Sequence, residues 1–243
     1  MSPPSHTPTQ PAPDEGIRLS KRVAALVPCS RSEAERYIEG GWVKVDGQVE
    51  TSPQARIAPA QQVALDPAAS LLALAPVTLL WHQVPGGALP APQDRWSGDR
   101  SGQRVAPGLL RHLTPLLPLP PEATGLAVFS QDRRILRKFG EEGWLLEQEL
   151  IAEVSGQLAE GGLARLAQGL AWRGQPLPPA KVSWQSEQRL RFAFKGIDPA
   201  LVPWMCGQVG LVVTGLRRIR IGRLPLAPLP AGQWRCLQPH ERF

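Results

Sequence analysis

Residues 17–50 read IRLSKRVAALVPCSRSEAERYIEGGWVKVDGQVE. Leu19, Val23 and Leu26 recur at i, i+4 and i+7, which gives a helix one apolar stripe. Arg18, Lys21 and Arg22 fall on another side and point to solvent, and Pro28 ends the helix. Ser30 followed three residues later by Glu33 is a capping box, so a second helix is expected to start at once. Ala34, Tyr37 and Ile38 form its apolar face, and Gly40-Gly41 stops it. In WVKVDGQVE, Asp46-Gly47 supplies the positive φ angles of a type I′ turn between two short strands. A helix pair backed by a hairpin is therefore expected over residues 17–66.

Outward from this block the composition changes. Residues 1–16 are rich in proline and polar residues, have no apolar core, and are expected to form a disordered tail rather than a secretory signal. Residues 67–76 form an alanine-, leucine- and proline-containing linker. The run VTLLWHQV (77–84) opens a larger domain over 77–238, interrupted at 85–108 by a glycine- and proline-rich insertion expected to be a mobile loop. Strands are expected near 125–130, 148–155, 181–185, 188–195, 211–222 and 232–237, and helices near 132–140, 160–169 and 199–209. This alternation predicts an α+β fold with a mainly antiparallel sheet.

The bulk properties narrow the partners. Among 243 residues, 42% are hydrophobic and 20% charged, as in a globular chain with a real core. A net charge of +6 favours an anionic partner such as nucleic acid. No stretch approaches the roughly 20 apolar residues of a membrane span. Cys29, Cys206 and Cys236 stand far apart and make no CxxC pair, so neither zinc nor a disulfide framework is expected, and a reducing cytoplasm fits. No cofactor is expected, and the default assembly is a monomer. Residues 17–66 hold seven Lys and Arg against six Asp and Glu, so clustering rather than net charge is what points to RNA.

Two stretches carry a family resemblance. Arg18-Leu19-Ser20-Lys21, Cys29-Ser30-Arg31, Glu33-Ala34, Ile38, the glycine before the strand and Val45-Asp46-Gly47 closely resemble an S4 domain, an RNA-binding module. The resemblance implies that Arg18, Lys21, Arg22, Ser30, Arg31, Arg36 and Lys44 touch structured RNA, either ribosomal RNA or tRNA. The stretch LRRIRIGRLPLAPLPAGQWRCL (216–237) resembles the closing signature of pseudouridine synthases, in the branch that carries an N-terminal S4 domain. Its framework positions are Ile221, Leu226, Leu229 and Leu237, with Gly232 at a turn. Arg218 and Arg220 are expected to face solvent or RNA phosphates.

Such enzymes detach a uracil base from its ribose, turn it and rejoin it through carbon. The family uses the aspartate of a Gly-Arg-Leu-Asp motif shortly before a Gly-Leu pair. Placing that pair on Gly125-Leu126 puts Leu117-Pro118-Leu119-Pro120 on the motif, with Pro120 at the aspartate position. Neither Pro118 nor Pro120 has a side chain that can act as acid, base or nucleophile. The family's Lys-x-Tyr strand falls on EQELIAEV, with Leu150 in place of the base-stacking tyrosine. Its arginine-rich helix start falls on Asp198–Trp204, which holds no arginine. Its Lys-Pro falls on His82-Gln83-Val84-Pro85.

No catalytic residue is assigned on these grounds. Glu122, two residues beyond Pro120, is the one substitute worth naming, although a displaced carboxylate seldom recovers productive geometry. Asp94 and Asp99 are expected to solubilise the insertion, and His82 to pack at a strand edge. Trp81, Trp184 and Trp234 are expected in the core, whereas Trp42 and Trp96 are candidates for exposed stacking. Three readings stay open: an RNA-binding family member with weak or no isomerase activity, an active synthase using a displaced carboxylate, and a non-enzymatic protein-interaction module.

Overall fold

A computed structural model describes residues 16–69, 76–86, 89–103 and 109–243. The expected tail, except Gly16, and most of the expected linker lie outside the described residues. The chain forms two compact units, with residues 16–69 in the first and 76–86, 89–103 and 110–243 in the second.

The first unit holds β1 (Ile17–Arg18), α1 (Leu19–Leu26), α2 (Arg31–Glu39), β2 (Val43–Val45), β3 (Gln48–Glu50), β4 (Arg56–Ile57) and β5 (Val63–Leu65). Ser30 Oγ accepts a hydrogen bond from Glu33 N at 3.2 Å, and Ser30 N donates to Glu33 Oε2 at 2.7 Å. This reciprocal cap, of a kind that contributes about 1 kcal/mol, fixes where α2 begins. Leu19, Val23, Ala34, Ile38, Val43, Val45 and Ile57 form the core. Leu26, expected on that apolar face, is 52% exposed because α1 ends there. The expected hairpin is β2–β3, turning at Asp46-Gly47 with φ of 50° and 81°. β5 completes that sheet on the other side of β2.

Elsewhere in this unit, β1 pairs with β4, in the register Ile17↔Ile57 and Arg18↔Arg56. Backbone bonds from Leu19 N to Ala55 O and from Ser20 N to Pro53 O fasten the start of α1 to the same segment.

The second unit is a nine-stranded sheet. Its strands are β6 (Thr78–Gln83), β7 (Thr114–Leu116), β8 (Thr124–Ser130), β9 (Gln148–Gly156), β12 (Ala180–Ser186), β13 (Arg189–Phe194), β14 (Leu211–Ile221), β15 (Leu224–Pro225) and β16 (Trp234–Cys236). The ribbon β10 (Ala171–Trp172)–β11 (Gln175–Pro176) stands apart. The main order is β12-β13-β9-β14-β8-β6-β16, with β15 on β14 and β7 on β8. Only β14–β8 is parallel, so the sheet is mainly antiparallel as expected. Helices α3 (Arg133–Glu142), α4 (Gly162–Ala167) and α5 (Val202–Gly207) complete the unit.

One core joins Leu150, Ala152, Leu190, Phe192 and Phe194 of the sheet to Val202, Met205 and Cys206 of α5. A second joins Leu80, Leu126, Val128 and Ile221 to half-buried Ile135, Leu136 and Phe139 of α3. Gly125 lies where β8 meets β14. Its φ is +103°, and a Cβ there would stand 2.2 Å from Arg218 O, so only glycine allows the approach.

Several expectations change here. The described part of the 85–108 insertion is pinned rather than loose. Trp96 N donates to Trp234 O, Trp234 Nε1 donates to Ala91 O, and Cys236 N donates to Asp99 Oδ2. Asp99 is thus a structural anchor, also paired with Arg95 at 2.8 Å, and not a solubilising residue. Asp94 accepts from Ala91 N and shapes a turn of 3-10 helix. Trp42 is buried and Trp96 packs against the second core, so neither is a free stacking surface. Trp184 sits on edge strand β12 and is 38% exposed instead of buried. Trp81 and Trp234 are core, and His82 Nδ1 lies 2.8 Å from Leu229 O.

Candidate functional site

The loop between β7 and β8 is filled by apolar packing. Leu116 and Ala123 are buried at its two ends. Leu119 packs against the core that contains Leu150, and Leu117 against the core under α3. Pro120 contributes only its carbonyl, which accepts from Gln83 Nε2 at 2.9 Å and from Ala123 N at 3.0 Å. Leu117 has φ +49°, a strained left-handed conformation for a leucine. Glu122 is exposed and makes no ion pair or hydrogen bond among the described residues. Residues 198–204 turn into α5 through an Asp198 cap on Ala200 N, and Val202 is buried.

Arg218 explains the loop's position. It is fully buried, and not facing RNA as the sequence suggested, because its place on β14 points it into the sheet interior beside Leu150 and Gly125. Its Nε donates to Leu126 O, and its Nη1 donates to Leu117 O and Gln148 Oε1, each at 2.7 Å. Among the described residues Nη2 has no partner, and no carboxylate pairs with the guanidinium. Burial pushes its pKa down to about 9. A buried cation held only by neutral oxygens is an unusual arrangement, since burying a charge without an opposite charge costs free energy.

Arg220 is also committed inside the protein. It pairs with Glu147 at 2.5 Å and Glu149 at 2.7 Å, and its Nη1 donates to Gly222 O. Glu149 also pairs with Arg191. Burial works against the charged form of Glu149, but the hydrogen bonds from Arg191 and Arg220 outweigh it and hold its carboxyl below the usual range. A carboxyl depressed in the folded state stabilises the fold above its unfolded pKa of about 4.3, and that contribution fades as pH falls through the folded value. Thermal unfolding followed from pH 7 down to pH 3 is therefore expected to show a decline that Glu149→Gln makes shallower. An identical decline in wild type and variant would remove this network from the acid response.

A different cluster is open to solvent. In the first unit, Arg18, Lys21, Arg31 and Arg56 line one concavity of about 450 Å³ together with Gly16, Ile17, Ser20 and Ala24. The wall contains no carboxylate. The β1–β4 pairing places Arg56 opposite Arg18, and Arg56 Nη1 donates to Gly16 O at 3.1 Å. Arg31 is tethered to Glu35 at 3.3 Å on an exposed face. Ser20 Oγ is buried at this wall and has no hydrogen-bond partner. The concavity therefore offers four cations, a donor set suited to phosphate.

Of the residues expected to contact RNA, three lie in this concavity: Arg18, Lys21 and Arg31. Arg22, Arg36 and Lys44 do not line it. The Ser30 hydroxyl is engaged in the α2 cap. Arg56 was missed, because a two-residue strand gives no periodic signal and its pairing spans forty positions of sequence.

Comparison with known proteins matches this division. The S4 domain model aligns with residues 17–63. The dual-specificity RNA pseudouridine synthase RluF of Escherichia coli (strain K12) is 25% identical over 233 residues, covering 94% of this chain and 78% of that protein. The ribosomal large subunit pseudouridine synthase B of Bacillus subtilis (strain 168) is 25% identical over 234 residues, covering 92% of this chain and 93% of that protein. A crystal structure of pseudouridylate synthase superposes with a TM-score of 0.55 at 21% identity, covering 92% and 96% of the two chains, which is a likeness of fold. With an S4 domain over residues 17–63 and similarity to these synthases along nearly its whole length, the chain resembles the S4-domain-containing pseudouridine synthases.

Proposed function

We propose that this protein binds structured RNA through the basic concavity of its S4 domain and does not isomerise uridine. The observation that carries the second half is Pro120 at the position of the catalytic aspartate. A proline side chain cannot attack a sugar or transfer a proton. Its surroundings support the same reading. Leu119 fills the core behind it, Leu150 stands buried at the tyrosine position, and Arg218 has no carboxylate beside it. The RNA is ribosomal RNA, in keeping with the names of the relatives, and the protein's role is to hold or assemble it.

The full-length similarity to named synthases favours a second reading, an active enzyme that recruits Glu122. Deleting the gene and mapping pseudouridines across ribosomal RNA and tRNA separates the two. The expected result is an unchanged map. A pseudouridine that vanishes on deletion and returns with wild type but not with Glu122→Ala would overturn the proposal and name the substitute. One restored by both proteins would also overturn it, while clearing Glu122.

A further inference from the structure

Helix α3 carries a charge pattern that works against its own stability. Arg133 and Arg134 occupy its first turn, Arg137 and Lys138 its middle, and Glu141 and Glu142 its C-terminal end. Cations near a helix N-terminus and anions near its C-terminus both oppose the helix dipole. Arg133 with Arg137, and Arg134 with Lys138, are also like-charge neighbours at i, i+4, which is unfavourable. Compensation inside the protein is partial: Asp132 at the N-cap accepts from Arg134 N at 2.8 Å and sets one carboxylate beside the first turn. Arg137 approaches Glu141 at 4.0 Å, with both side chains largely exposed. Arg133, Arg134 and Lys138 make no ion pair among the described residues.

The apolar side of α3 accounts for its place in the fold, through half-buried Ile135, Leu136 and Phe139. At a rotation of about 100° per residue, the four cations spread over the opposite side. Folding explains the first face and not the second. A charge pattern only partly compensated within the fold is the kind of local conflict expected at a functional surface.

The turn after α3 adds an aromatic. Trp144 is 61% exposed and Leu145 is 47% exposed. Trp144 Nε1 donates to Glu141 O at 3.1 Å. The indole's one donor is thereby used and its orientation fixed, which leaves the ring as an open stacking surface at the end of the basic helix. Basic residues that track a phosphate backbone, beside an exposed aromatic on which bases stack, form the recognition pattern for single-stranded nucleic acid. A duplex keeps its bases stacked on each other and would leave Trp144 unused.

We infer that α3 and Trp144 form a second RNA-contacting surface, one that takes an unpaired segment, with phosphates on Arg133, Arg134, Arg137 and Lys138 and a base on Trp144. This surface lies wholly within the large unit and does not depend on the S4 reading.

The test uses the full-length protein and a ten-nucleotide oligouridylate, with affinity measured from 50 to 300 mM salt. Changing all four cations to glutamine is expected to weaken binding about 200-fold at about 0.15 M salt and to flatten the salt dependence by roughly three units of slope. Trp144→Ala is expected to cost about ten-fold with the slope unchanged, and Trp144→Phe to restore most of it. The four-glutamine variant should also melt no lower than wild type, since it removes unfavourable charge pairs.

An unchanged affinity and slope in that variant would overturn the inference, as would a lowered melting temperature, which would mark the charges as structural. Glutamines in place of Arg18, Lys21, Arg31 and Arg56 serve as the independent arm. They should leave the effect of α3 on the oligouridylate intact, so failure of the S4 reading and failure of this one give different results.

Discussion

Arg218→Met is expected to lower the unfolding free energy by about 3 kcal/mol and the melting temperature by roughly 6–12 °C. Two opposing terms decide the figure. Removing a buried charge that has no opposite charge relieves desolvation, and apolar replacements of buried ions are often neutral or stabilising. Against that, the guanidinium satisfies Leu117 O, Leu126 O and Gln148 Oε1 together. Methionine would strand these buried and half-buried acceptors, at about 1–3 kcal/mol each. Three stranded acceptors outweigh one relieved charge. Arg218→Lys should fall between, because a single ammonium cannot span three oxygens fixed around a planar fork. Urea unfolding of the full-length chain measures all three proteins. A methionine variant as stable as wild type would mean that desolvation dominates and that the loop is held by Leu117 and Leu119 alone. Its affinity for structured RNA should be unchanged, since Arg218 is out of RNA's reach.

That prediction reverses what the sequence suggested for Arg218, and the reason is instructive. In LRRIRIG, Arg218 and Arg220 alternate with Ile219 and Ile221 while Arg217 adjoins Arg218, and the period of a strand says only that Arg217 and Arg218 point to opposite faces. It does not say which face is buried. Arg217 is exposed and Arg218 buried, and only the packing of β14 beside β8 and β9 reveals which face goes inside. The first unit was more legible because its signals are local. Ser30-x-x-Glu33 fixed a helix start, and Asp46-Gly47 fixed a hairpin. The pinned insertion was hidden for the converse reason. Its anchors, Trp234 and Cys236, lie more than a hundred residues further along, and loop-like composition describes the chain before those contacts form. The position that the family resemblance gives to an aspartate was legible only as a proline. Pro120 stood in the sequence, but the filling of the space behind it by Leu119 depends on tertiary packing.

Replacing Arg18, Lys21, Arg31 and Arg56 together with glutamine is expected to weaken binding to a structured RNA hairpin by about 1,000-fold at 0.15 M salt. The magnitude follows from counterion release. A neutralised phosphate contributes a salt slope of about −0.9 on a duplex, worth roughly 0.7 log units at that concentration, so four contacts amount to about three. The slope itself should flatten by between three and four units. The control is a second set, Arg22, Arg36 and Lys44 to glutamine, which the sequence ranked with the first but which does not line the concavity. That set is expected to cost less than ten-fold, through long-range attraction alone. Stability should change little in either set, since exposed charges contribute at most about 1 kcal/mol to folding. Within the first set, Arg56 is the sharpest probe, because its place beside Arg18 comes from the β1–β4 pairing and not from local sequence. If both sets weaken binding equally, RNA reads the general charge of the S4 domain. If only the first does, four side chains converging on one concavity hold the backbone.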